Sequence, residues 1–101
     1  MHVISEKKLK TFWEVHPDAK EPLKAWYKLL DAGKYSNITE LKVTFGSVDL
    51  IKRNSYIFNI GGNKYRILVN VEFQKQQAYI LEVMTHAEYD TDSWKTRWNL
   101  K

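Results

Sequence analysis

Apolar residues fall three and four apart through the first third of the chain and two apart through its second half, so the period alone divides it into helices and then strands. His2–Ile4 is a short apolar start, expected to be an edge strand. Ser5 then occupies an N-cap position, with Glu6 near the positive end of the helix dipole. Leu9, Phe12, Trp13 and His16 follow at helical spacing, and Pro17 ends that helix at or before His16. Asp18 and Glu21 have the spacing of a capping box for a second helix, whose buried stripe is Leu23, Trp26, Tyr27 and Leu30. Gly33 is its expected stop. So short a connection predicts an antiparallel helix pair. Asn37 and Glu40 suggest a brief third helix over 38–43, although the alternation of Leu41, Val43 and Phe45 also allows a strand. Residues 46–54 read as a loop, with Lys52 and Arg53 at its far end.

From Ser55 onward the period is two. Tyr56, Phe58 and Ile60 alternate, and Gly61, Gly62 and Asn63 supply a turn that accepts positive φ. Tyr65, Ile67, Val69 and Val71 resume the alternation and are expected to face the core. Lys64, Arg66, Leu68 and Asn70 are then expected on the opposite face, with Asn59 beside them on the preceding strand. A polar turn over 74–77 leads to a further apolar run over 78–84, a third strand. Helices first and an antiparallel meander afterwards make an α+β plan, with the helices on one face of the sheet.

Composition narrows the chemistry. A chain of 101 residues is expected to be a single domain, 1–101. Sixteen Lys and Arg against twelve Asp and Glu leave a formal charge of +4, a mild bias toward nucleic acid or another acidic partner. An ordinary basic surface explains the same number. The lack of cysteine excludes disulfides, thiolate chemistry and Cys-based zinc sites. His2, His16 and His86 do not have metal-ligand spacing, so no metal or other cofactor is expected. MHVISEKKLK has no apolar segment of signal-peptide length, and no later run approaches a membrane span; cytoplasm is the expected compartment.

Candidate chemistry gathers at two places. Arg66, Lys64 and Asn59 at one end of a mixed sheet face suit a phosphate-bearing ligand, while a plain solvated face would look similar. The stretch THAEYD, residues 85–90, follows the last apolar run and is expected to be a strand-end loop carrying His86 and Tyr89. Histidine exchanges protons near neutral pH and tyrosine through its hydroxyl, although either can equally serve packing. In the tail, Trp94 and Trp98 are four apart and fit a last helical turn docked on the core; with Lys95 they also fit base stacking and RNA binding.

Three blocks, MHVISEKKLKTFWEVHPDAKEPLKAWYKLL, FNIGGNKYRILVNV and EVMTHAEYD, together resemble the HigB family of toxins in the RelE-like superfamily of type II toxin–antitoxin modules. The resemblance implies two N-terminal helices packed on a curved antiparallel sheet of about four strands. It implies a metal-independent mRNA endonuclease acting by 2′-hydroxyl attack, commonly on mRNA being translated at the ribosome. It also implies a cognate HigA-like antitoxin, with DNA bound only through the complex of the two. Under it Arg66, His86 and Tyr89 become candidate catalytic residues, and Asn59, Lys64 and Lys95 candidate RNA contacts. A non-catalytic RNA- or ribosome-binding module is the alternative.

Overall fold

The computed structural model describes residues 1–101. Strand β1 (His2–Ile4) leads into helix α1 (Lys7–Val15), and a 3-10 turn at Pro17–Ala19 connects it to α2 (Lys20–Ala32) and then α3 (Ile38–Thr44). Strands β2 (Asp49–Lys52), β3 (Ser55–Ile60), β4 (Tyr65–Glu72) and β5 (Gln77–Thr85) follow, and α4 (His86–Asp90) and α5 (Ser93–Arg97) complete the order. The sheet runs β1-β5-β4-β3-β2. Its β2–β3, β3–β4 and β4–β5 pairs are antiparallel, but β1 pairs in parallel with β5. The α+β class therefore stands, with a five-stranded mixed sheet in place of about four antiparallel strands.

The helix stripes turn toward the sheet as their spacing predicts, although Phe12, Trp13, His16 and Tyr27 are only half-buried. Leu9 from α1, Leu23, Trp26 and Leu30 from α2, and Leu41 from α3 are buried against Tyr56, Phe58, Ile67, Val69 and Val71 of the sheet. Removing so much aliphatic and aromatic surface from water is the main stabilising term, about 1.5–3 kcal/mol per large side chain. Phe58 takes the edges of two rings, Trp26 at 5.4 Å and Phe45 at 5.1 Å, an arrangement aromatic quadrupoles favour. Residues 38–44 form a helix, not a strand, because the Asn37 side chain accepts from the Glu40 backbone N–H while Glu40 takes the Ser36 N–H.

Other local expectations give way. Glu6, not Ser5, precedes α1, and it makes no side-chain cap. Asp18 and Glu21 form no capping box, because Asp18 sits in the 3-10 turn and is engaged elsewhere. Gly33 ends α2 with an extended φ of −92°, so no left-handed cap is involved. Its need for glycine is steric: a Cβ there would lie 2.4–2.7 Å from the Tyr35 ring. Within the expected loop 46–54 lies edge strand β2, paired to β3 through an irregular register.

The opposite sheet face is not solvated. Ile57, Leu68 and Met84 on it are buried together with Trp94 and Leu100, making a second, smaller core. Trp94 is the docking residue of the tail, and Trp98 lies beside it with its Nε1–H donated to Glu82 at 2.8 Å. Arg97 grips the same carboxylate at two points, 3.1 and 2.6 Å. A bulge makes this possible. Leu68 pairs with Glu82 but Val69 with Ile80, so Leu81 is the extra residue on β5. Ala78 and Ile80 point to the helix side before the bulge, and Met84 points to the other side after it.

Candidate active site

Three short elements build the site. The β3–β4 turn has Gly61 at φ +62° and Gly62 at φ +71°, a pair of left-handed residues that L side chains resist. Asn63 follows, and Arg66 enters β4 directly across from Asn59 on one side and Met84 on the other. At Thr85 the chain leaves β5 through a complete capping box: Thr85 Oγ1 accepts the Glu88 N–H at 3.1 Å, and Glu88 Oε1 accepts the Thr85 N–H at 2.9 Å. THAEYD is thus a strand end and a helical turn, not a loop.

That capped turn brings the two candidate regions together. The His86 N–H donates to the Lys64 carbonyl at 3.0 Å, tying α4 to the start of β4. The Tyr89 ring lies 4.9 Å from Arg66 Cζ, within cation–π range. Tyr89 in turn stacks on Trp94 at 5.4 Å and 16°, and its carbonyl accepts the Trp94 Nε1–H at 2.9 Å. Arg66 is only 6% exposed. Its Nη1 donates to the Asn63 carbonyl at 3.0 Å and the Tyr65 carbonyl at 3.2 Å, and its Nη2 to Asn63 Oδ1 at 2.6 Å. The guanidinium is therefore a pre-positioned charge, held by the turn it follows.

His86 Nδ1 lies 2.9 Å from Asp90 Oδ2, one helical turn on, an ion pair whenever the ring is protonated, and 45% of the His86 side chain is exposed. With a carboxylate beside one ring nitrogen, a histidine keeps the other available for proton transfer. Asn59, half-buried, makes no side-chain hydrogen bond within the protein. Arg66, Asn59, His86 and Tyr89 are thus on or beside one sheet face, as alternation and the strand-end position predict.

Lys64 and Lys95 are placed differently. Lys64 lies in the turn, ahead of β4, where strand alternation does not apply, and it pairs with Asp18 at 2.5 Å on the helix side. Lys95 is paired with Asp92 at 3.5 Å and lies over the Trp94 ring. No hydrogen bond or ion pair joins either side chain to Arg66, His86 or Tyr89. Sequence reasoning gives Asn63 only a turn role and Asp90 no role of its own. The Thr85–Glu88 capping-box spacing would have revealed the helical turn, and with it the His86–Asp90 pair at i,i+4.

Asp18 has its own role. Its second oxygen accepts the Tyr65 hydroxyl at 2.5 Å, and Phe12 and His16 pack on that tyrosine at 5.4 and 5.8 Å. Hydrogen bonding from Lys64, then from Tyr65, holds the Asp18 carboxyl below its ordinary 3.8. A depressed folded pKa contributes stability that is complete above the ordinary value and lost as pH falls through the folded one. The same carboxylate raises Lys64 and Tyr65, whose contributions hold at neutral pH and fade only in strong alkali. Asp18→Asn is therefore expected to lower thermal stability at neutral pH and to flatten its decline below pH 3.8. Thermal unfolding across the acid range checks this; an unchanged acid limb would count against it.

A family profile described as HigB toxin, the RelE-like toxic component of a toxin–antitoxin system, matches residues 19–92. That span includes Asn59, Arg66, His86 and Tyr89. A curated protein of Escherichia coli K12 named mRNA interferase toxin HigB is 41% identical over 92 residues, covering 89% of this chain and 88% of its own length. An mRNA interferase HigB of Shigella flexneri matches to the same extent. A more divergent mRNA interferase HigB, from Escherichia coli O6:H1, is 27% identical over 92 residues, covering 89% of each chain.

Proposed function

This chain belongs to the HigB toxin family, the RelE-like toxic component of a toxin–antitoxin system, and from that premise we propose that it cleaves mRNA without a metal, on transcripts being translated at the ribosome. The curated relatives at 41% identity are named mRNA interferases, and this chain is read as one too. The observation that carries the site is the convergence of Arg66 on β4 with Tyr89 and His86 on α4, through the His86–Lys64 backbone bond and the Arg66–Tyr89 contact.

The reaction is a transesterification. The 2′-oxygen of the nucleotide 5′ to the scissile bond attacks phosphorus and gives up its proton, the bond to the 5′-oxygen breaks, and that oxygen takes up a proton. The products are a 2′,3′-cyclic phosphate and a 5′-hydroxyl. Negative charge accumulates on the phosphorane oxygens, where a fixed guanidinium stabilises it most. Arg66 has this role. His86, oriented by Asp90, and Tyr89 handle the two protons, and Asn59 positions sugar or phosphate. Lys64 and Lys95 meet the RNA backbone outside the reacting centre. A HigA-like antitoxin neutralises the toxin in the cytoplasm, and DNA is reached only through their complex.

Brief induction in cells followed by chemical mapping of new RNA ends tests this. New 5′-hydroxyl ends paired with cyclic phosphates are expected; new 5′-phosphate ends would sink the 2′-hydroxyl mechanism. One observation favours a second reading. Arg66 is 6% exposed and engaged by its own turn, as suits a side chain used to brace a non-catalytic RNA-binding surface. No new ends at all, with RNA binding retained, would establish that reading instead.

A further inference from the structure

On the far side of the sheet from Arg66, α1 and α2 enclose a groove of about 730 Å³. Lys10, Lys20, Lys24 and Lys28 line it, against two acids, Glu6 and Glu21. None of the four lysines is held in an ion pair, and all four are exposed. Trp13 and Tyr27 supply the aromatic part of the wall, with the Lys20 ammonium 6.0 Å from the Trp13 ring. Lys20, Lys24 and Lys28 repeat every four residues, so they form one row with a rise of about 6 Å per step. Successive phosphates along an extended RNA strand have a closely similar separation. An unpaired lysine row beside a half-buried indole suits a sequence-tolerant RNA groove: charges that follow the backbone and a ring with a face left for a base to stack on.

We propose that the α1–α2 groove is a second RNA-binding site that takes the phosphodiester backbone of an RNA strand, separate from the cleavage centre. The proposal rests on the reading of the chain as an RNA-directed toxin. The groove anchors RNA while Arg66 and α4 act on another part of it or on another strand. An acidic protein segment would be drawn by the same charge, but it brings no base to stack on the Trp13 and Tyr27 wall.

The test is binding of a 2′-O-methylated oligoribonucleotide, which cannot be cleaved by 2′-hydroxyl attack, to the full chain over a series of salt concentrations. The Lys20→Gln, Lys24→Gln, Lys28→Gln triple variant is compared with a control in which Lys34, Lys42 and Lys75 become Gln. Loss of three phosphate contacts is expected to weaken binding at least tenfold at low salt and to reduce the log–log salt slope by about 2. The control is expected to change the slope by less than half as much. Equal effects of the two variants would overturn the proposal, as would an unaffected slope in the groove variant. A poly-glutamate peptide serves as a parallel probe: its loss from the groove variant with RNA binding intact assigns the groove to an acidic protein and overturns the RNA reading. Since the probe is not a substrate, the measurement stands whether or not the chain proves to be a nuclease.

Discussion

Arg66→Ala is expected to abolish growth arrest on expression, with RNA cleavage reduced about 10²–10³-fold, the range typical for removing one group that stabilises developing charge. The structure also predicts a second effect. Arg66 donates three hydrogen bonds to Asn63 and Tyr65 and lies against Tyr89, so its removal loosens the β3–β4 turn and leaves the His86–Lys64 backbone bond as its tie to α4. Hydrogen bonds from charged groups contribute about 1.5–3 kcal/mol, and a loss of that order in chemical denaturation is expected. Arg66→Lys separates the two roles. It retains a charge near the site but lacks the planar fork, so activity should remain low while stability partly returns. Full growth arrest from a folded Arg66→Ala protein would remove Arg66 from the mechanism.

Trp94→Ala is the larger stability prediction. Trp94 is fully buried, anchors the second core with Leu68 and Met84, and holds Tyr89 by both a ring stack and an Nε1 hydrogen bond. A buried Trp reduced to Ala costs about 3–5 kcal/mol, a large part of what a domain of this size has in reserve. Trp94→Phe retains most of the apolar contact but loses the hydrogen bond, at a cost of about 1 kcal/mol. Urea unfolding of both variants distinguishes packing from hydrogen bonding. A loss below about 1 kcal/mol in Trp94→Ala would mean that α5 is not a structural element in solution. RNA cleavage should fall in the same variant, because Tyr89 loses the ring that supports it.

Periodicity revealed the parts of this fold that depend on local spacing. The stripes on α1 and α2 and the alternation from Tyr56 to Val71 each bury the face they predict, since a helix or strand inside a domain must hide its apolar side. Alternation also placed Arg66 and Asn59 on one face. It failed for Lys64, which belongs to the turn and reaches Asp18 across 46 residues of chain. β2 was missed because as an edge strand it leaves Leu50 exposed and Ile51 half-buried, so no buried alternation marks it. The parallel β1–β5 pairing joins residue 2 to residue 77, a contact no local pattern encodes. The covering of the second sheet face was hidden for a related reason. Only the fold shows that α4 and α5 turn back over Leu68 and Met84, and hence that Arg66 is enclosed.

The same long-range closures govern when this protein comes into being during its synthesis. The first strand of the sheet, at residues 2–4, cannot pair until residues 77–85 exist, and the second core cannot close until Trp94 and Leu100 have been added. Helices α1 and α2 can form early, but they have no completed sheet to bury against until residues 77–85 have been made. Arg66 and Tyr89 come together after the same delay. On a ribosome making this chain, Arg66 therefore waits in an unfinished sheet until the segment carrying Tyr89 and Trp94 has followed it.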